Sequence, residues 1–103
     1  PIALLNKEFP VVAICTASST RDKMVSNVHE IVARDAPVLA LVTEGDHSLD
    51  GTATDMFTMP AVEEVSAVVL NTVMLQLFAY HVAVELGQDV DQPRNLAKSV
   101  TVE

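Results

Sequence analysis

Two continuous apolar runs and one shorter run alternate with polar segments in the first half of the chain. Residues 9–15 and 37–42 are rich in β-branched side chains and lack a helical period, which predicts strands buried on both faces. A short run at 56–59 predicts a third strand, stopped by Pro60. Apolar residues recur at helical spacing from Met24 to about Arg34, which predicts an amphipathic helix. The order of these elements indicates a parallel α/β sheet with right-handed crossovers.

A long apolar segment from Glu63 to Gly87 predicts a helix of about 36 Å. Two glutamates suit its N-terminal dipole, and Gly87 suits the position just past its end. No charged residue lies between Val65 and Val84, so a membrane span is one interpretation. Acidic ends without flanking Lys or Arg favour a helix buried in protein instead, as do four polar residues along its length: Asn71, Thr72, Gln76 and His81.

Three strands and two helices amount to half of a doubly wound domain. We therefore expect the strand at 9–15 to lack a neighbour on one side, so that the chain exposes a sheet edge or pairs it with a partner. The start at Pro1, without Met, suggests a piece of a longer protein.

The composition narrows the classes of function. The chain has 103 residues, half of them apolar, and a formal net charge of −8. This charge argues against nucleic acid and anionic membrane surfaces as partners, because both require clustered Lys and Arg. A phosphate would have to be bound by local N–H groups and hydroxyls. Cys15 is the only cysteine, so an internal disulfide is impossible, and its apolar surroundings predict a buried, inert thiol.

No motif in the sequence supports a metal site. The loop at 46–51 begins like an EF-hand calcium loop, but its twelfth position is Phe57 rather than a bidentate glutamate. His29-Glu30 lacks the second histidine of a zinc peptidase motif, and His81 is interpreted as a hydrogen-bonded core histidine. We predict turns on the surface at 46–51 and no bound metal.

The hydroxyl-rich segment at 16–20 follows the first predicted strand and precedes a helix. Residues 18–20 are candidates for the N-cap, and Ser19 with Asp22 forms a weak capping box. The same position is where α/β folds bind anions, so ordinary capping and phosphate binding both remain open.

The C-terminal segment at 89–103 has no sustained apolar period. It contains Lys98 between two small residues, Ala97 and Ser99. A lysine in this setting is either a flexible surface charge or, where its pKa is lowered, a nucleophile toward a carbonyl. Composition alone favours a solvated tail.

Four segments of the chain resemble the isomerising glutamine–fructose-6-phosphate aminotransferases, the glucosamine-6-phosphate synthases. The most specific is Asp-Val-Asp-Gln-Pro-Arg-Asn-Leu-Ala-Lys-Ser-Val-Thr-Val-Glu at 89–103. The others are Met-Pro-x-Val-Glu-Glu-Val at 59–65, Leu-Gln-Leu-x-Ala-Tyr-His-Val-Ala at 75–83, and Pro-Ile-Ala-Leu at 1–4. The resemblance thus extends over the whole chain.

The resemblance implies a sugar isomerase (SIS) fold, with a partial subdomain at 1–88 and a catalytic tail at 89–103. It implies that Lys98 is catalytic, opening the sugar ring or holding the open sugar as an imine, with substrate contacts from Ala97 and Ser99. Small neutral side chains of the same tail would help line a passage for ammonia: Leu96, Ala97, Val100 and Val102. The family needs no cofactor, and its phosphate-binding loop lies in the companion subdomain.

The resembled reaction converts fructose 6-phosphate and glutamine-derived ammonia to glucosamine 6-phosphate in the cytoplasm. The implied partners are the sugar phosphate, the glutaminase part and first isomerase subdomain of the parent chain, and a second copy in a homodimer. The family's acid–base Glu and His precede the position of Pro1, and Cys15 does not match the glutaminase nucleophile. We therefore expect the chain alone to have little or no turnover. A non-catalytic sugar-phosphate-binding or regulatory module is the alternative function, and a helix-mediated oligomerisation segment is a weaker one.

Overall fold

A computed structural model describes residues 2–92. A short 3-10 helix, Ile2–Leu4, precedes three strands and two α-helices, and it was not predicted from the sequence. The strands are β1 (Val11–Cys15), β2 (Val38–Thr43) and β3 (Asp55–Met59), and the helices are α1 (Arg21–Val32) and α2 (Glu64–Glu85). The predicted type and order of these five elements are therefore confirmed.

The three strands form one parallel sheet in the order β1-β2-β3. Val11 pairs with Val38 at one end of the first ladder and Cys15 with Val42 at the other, while Leu39 of β2 pairs with Asp55 of β3. The central strand β2 is the most buried of the three, as its continuous apolar run predicts. The parallel α/β architecture is confirmed.

The core lies between one face of this sheet and α1. In-register side chains of β1 and β2 point to the same face because side chains alternate along a strand. Val28 of α1 and Leu49 of the β2–β3 loop complete this cluster and are fully buried. The strand members of the cluster are Ala13, Cys15, Val38, Ala40 and Val42. Small and branched side chains fill this core, as the low aromatic content predicts.

The prediction that β1 is buried on both faces was wrong. Val12 is 40% exposed and Ile14 is 41% exposed, whereas their neighbours Ala13 and Cys15 are buried. A continuous apolar run is typical of a strand covered on both faces, whereas within the described residues one face of β1 is partly exposed. Within residues 2–92, β1 pairs with β2 alone, so the expected open sheet edge is confirmed.

Helix α2 is slightly shorter than predicted, with 22 residues, and it is largely exposed. Its buried residues are Ala67 and Asn71, so the expectation of a helix buried in protein is not met by the described chain. In length and composition α2 is also long and apolar enough to cross a membrane, which for a single helix is weak evidence. Gly87 has φ of +66°, the left-handed conformation expected just past a helix end.

The chain divides into two compact units, residues 1–71 and a second unit that begins at Thr72. The first contains the sheet, α1 and the first turns of α2. The second contains the remainder of α2, where the rings of Tyr80 and His81 meet edge to face at 5.3 Å. After α2 the described part of the tail consists of turns and bends up to Gln92.

Candidate functional site

Hydroxyl side chains gather where the carboxyl ends of β1 and β2 meet. Thr16 follows β1 directly, and Thr43 is the last residue of β2. The Thr43 hydroxyl oxygen accepts a hydrogen bond from the backbone N–H of Ala17 at 2.7 Å. This bond holds the segment at 16–20 against the end of the neighbouring strand. Ligands of α/β proteins bind at this edge of the sheet, which makes it the candidate site within the described residues.

The segment at 16–20 leads into α1 without a side-chain cap. Thr20 is the N-cap residue, but its hydroxyl makes no capping bond and lies 3.4 Å from the Ser18 hydroxyl. The capping box predicted from Ser19 and Asp22 was therefore wrong. The backbone N–H of Arg21 donates to the Ser18 carbonyl instead, so a turn of the backbone starts the helix.

A buried polar contact joins the end of β1 to α2. The Asn71 side-chain amide donates to the Thr16 hydroxyl at 2.9 Å, and both residues are buried. The oxygen of the same amide, Asn71 Oδ1, is buried without a hydrogen-bond partner. This contact links residues 55 positions apart, so local sequence patterns do not reveal it. One signal was available: an amide within a charge-free helix indicates a buried polar partner.

Glu64 brings a carboxylate to the same loop. Its Oε2 atom lies 3.4 Å from the backbone nitrogen of Ser19, a long hydrogen bond. Glu64 and Asn71 line a cleft of about 290 Å³ together with Thr16, Ser18 and Thr20, over an apolar floor that includes Ile14, Met24 and Val68. The acidic side chain opposes the binding of a phosphate at this point.

Arg21, the first residue of α1, forms an ion pair with Asp46 in the β2–β3 loop. The Asp46 carboxylate accepts from Arg21 Nε at 2.9 Å and from a second guanidinium nitrogen, and also from the Ser48 backbone N–H. A further guanidinium nitrogen donates to Asp22 at 2.8 Å. The bond from Arg21 is the main cause that lowers the pKa of Asp46 to about 2. The same bonds raise the pKa of Arg21.

This ion pair decides the chemistry of the neighbouring surface. Arg21 and Asp46 line an open concavity of about 450 Å³ with Ala17, Ser18, Thr43, Glu44 and Gly45. The guanidinium is already paired with two carboxylates, so an anionic ligand would have to compete with both. Of the two interpretations of the segment at 16–20, these contacts favour a structural role over phosphate binding.

The calcium-like loop is a series of turns, as predicted. Asp46, its first residue, binds Arg21, and the His47 ring lies 3.0 Å from the Asp50 carboxylate. Leu49 is fully buried, so the loop is not wholly on the surface. Within residues 2–92, no group of three or more His, Cys, Asp or Glu side chains is arranged to hold a metal ion.

Cys15 lies fully buried beneath this site, at the end of β1. Burial is the main cause that raises the pKa of its thiol, and the negative charge of Asp46 raises the pKa further. A thiol held in its neutral form is a poor nucleophile. The predicted burial of the thiol is confirmed, and its raised pKa agrees with the prediction that it is inert.

The residues predicted to carry the chemistry lie outside the described residues. They are Lys98, its neighbours Ala97 and Ser99, and the three apolar residues Leu96, Val100 and Val102. The described edge of the sheet provides hydroxyls, one buried amide and a neutralised guanidinium. This set of groups can order a loop, and by itself it does not form a general acid–base or nucleophilic constellation.

The sequence matches a family model over most of its length. Residues 1–86 match the model described as "SIS domain". The chain belongs to the SIS domain family. The parallel sheet with its open edge at β1 is consistent with a part of such a domain, so the predicted SIS-like fold class is confirmed.

Named relatives of this SIS domain align with it from end to end. Proteins named glutamine–fructose-6-phosphate aminotransferase (isomerizing) are 50% identical in Bacteroides thetaiotaomicron, 48% in Thermus thermophilus and 45% in Aquifex aeolicus. Each alignment covers 103 residues, the whole of this chain. The chain spans 17% of the length of these relatives. The resemblance to this enzyme family that the sequence motifs indicated is confirmed.

Proposed function

We propose that this chain is the C-terminal part of the isomerase domain of a glutamine–fructose-6-phosphate aminotransferase. The observation that carries the proposal is the identity of 42–50% over essentially the whole chain, the tail included, to relatives with that name. In this role the parent enzyme converts fructose 6-phosphate and glutamine-derived ammonia to glucosamine 6-phosphate, in the cytoplasm and without a cofactor.

The proposed chemistry assigns one essential group to this chain. Making a 2-amino aldose from a ketose requires that the ring opens, that ammonia adds at the carbonyl, and that a proton moves between adjacent carbons. Lys98 would open the ring or hold the open sugar as an imine, once its surroundings lower its pKa from about 10.4. Ala97 and Ser99 would contact the sugar, and the apolar residues of the tail would exclude water from the ammonia.

The rest of the parent protein is the first proposed partner. It would supply the glutaminase that releases ammonia and the subdomain that holds the sugar phosphate. It would also supply the acid–base Glu and His that act with Lys98. The open edge of β1 and its exposed Val12 and Ile14 support this division, because a paired, covered strand would explain the continuous apolar run. A homodimer of the parent enzyme completes the proposed assembly.

Substitution of Lys98 in the full-length parent enzyme tests the proposal. We expect Lys98→Ala to lower glucosamine 6-phosphate formation about 100-fold or more, since one positioned catalytic group contributes about 10²–10⁴ in rate. Glutaminase activity, measured as glutamate release, should be retained. Lys98→Arg should fail as well, because a guanidinium keeps the charge but does not form an imine.

The matched control is Lys7→Ala, which removes a lysine in the polar segment before β1. It should leave both activities unchanged. Unchanged sugar isomerisation in Lys98→Ala would contradict the catalytic assignment. That result would support the second candidate, a non-catalytic sugar-phosphate-binding or regulatory SIS module. Within this candidate the contacts of the loop at 16–20 favour a regulatory role over phosphate binding, because the Ala17 N–H and the Thr16 hydroxyl are already engaged in structural hydrogen bonds.

A further inference from the structure

No further inference is drawn: the strongest candidate, the cleft at the carboxyl end of β1 lined by Ser18, Thr20, Glu64 and Asn71, rests on the N-terminus of α1, and the unpartnered Asn71 Oδ1 beside it is closed off from any ligand.

Discussion

Arg21 and Asp46 lie 25 positions apart in the chain and meet in a bidentate ion pair. Both side chains are more than two-thirds covered, so the pair is less screened by solvent than an ordinary surface pair. It ties the start of α1 to the loop after β2, next to the carboxyl ends of the strands. We expect this pair to stabilise the β2–β3 loop at 44–54.

The stability of this pair should depend on pH. The pKa of Asp46 is lowered from its usual 3.8 to about 2 in the folded protein. Its stabilising contribution is therefore fully present above about pH 4 and lost as the pH falls through about 2. We expect a contribution of about 1–2 kcal/mol, measured as the free energy of urea unfolding between pH 2 and pH 6.

The substitution Arg21→Leu should remove this part of the pH dependence and lower stability at neutral pH by a similar amount. Arg34→Leu is the matched control, because the Arg34 guanidinium donates to the backbone carbonyl of Glu30 on an exposed surface. Equal losses in the two variants would contradict a special role for the Arg21–Asp46 pair.

The Asn71–Thr16 contact predicts a coupled pair of substitutions. Asn71→Leu leaves the Thr16 hydroxyl without its donor, and Thr16→Val leaves the Asn71 amide without its acceptor. Each should cost about 1–3 kcal/mol, because a buried polar group loses its partner. The double variant should cost less than the sum of the two. Additive losses in this double-mutant cycle would mean that the contact is energetically negligible.

Sequence reasoning at the residue scale found local features and missed distant contacts. The role of Gly87 at the end of α2 was predicted from its position in the chain. The burial of Cys15 was predicted from its apolar neighbours. The partners of Arg21 and Asn71 were not, because the fold brings them together across 25 and 55 positions. Lys98, the residue assigned by resemblance, lies outside the described residues and stays a prediction.

Strand β1 shows how an element depends on what surrounds it. Its pattern predicted burial on both faces, yet one face carries the exposed Val12 and Ile14. The proposed covering of this face by upstream residues of the parent enzyme would explain the apolar pattern of β1. The boundaries of the five main elements differ from the prediction by a few residues, and α1 begins directly after Thr20, one of the predicted N-cap candidates.

If upstream residues cover this face of β1 in the parent enzyme, a substitution there should destabilise the parent more than the isolated chain. Ile14→Thr should change the stability of the isolated chain by less than about 0.5 kcal/mol, as for an exposed position. In the full-length parent it should cost about 1–3 kcal/mol, since a hydroxyl would then replace a covered ethyl group. Denaturant unfolding of both forms measures the two values.

Val42→Thr is the control, because Val42 lies in the core against α1 and is 2% exposed. It should destabilise the isolated chain and the parent alike. If Ile14→Thr is equally mild in both forms, the exposed face of β1 stays uncovered in the parent, and the proposed covering of this face by upstream residues fails.

At the scale of the whole molecule, the proposed function divides one activity between this chain and the rest of its parent enzyme. It spans 17% of its named relatives and contains, by resemblance, one catalytic group of several. We expect residues 1–103 alone to form no measurable glucosamine 6-phosphate from fructose 6-phosphate and either glutamine or ammonium. The full-length parent under the same conditions is the positive control.

The outcome of this assay separates two accounts of the chain. Turnover by the isolated chain would show that groups within it suffice, which contradicts the need for upstream residues. Turnover that appears only after a separately produced upstream half is added would support the proposed division of the site. Sizing of the isolated chain at several concentrations accompanies the assay, since the exposed apolar residues of α2 favour association.

The amino-acid sequence by itself determined the α/β class, the order of the five main elements, the open edge at β1 and the family. Hydrophobic periodicity, helix-end residues and family motifs are local sequence patterns, so they can be recognised without coordinates. The tertiary structure alone decided that Asp46 neutralises Arg21, that Asn71 meets Thr16, and that one face of β1 is exposed. These contacts and exposures depend on which residues, distant in the sequence, become neighbours in the fold. A local sequence pattern does not determine those neighbours.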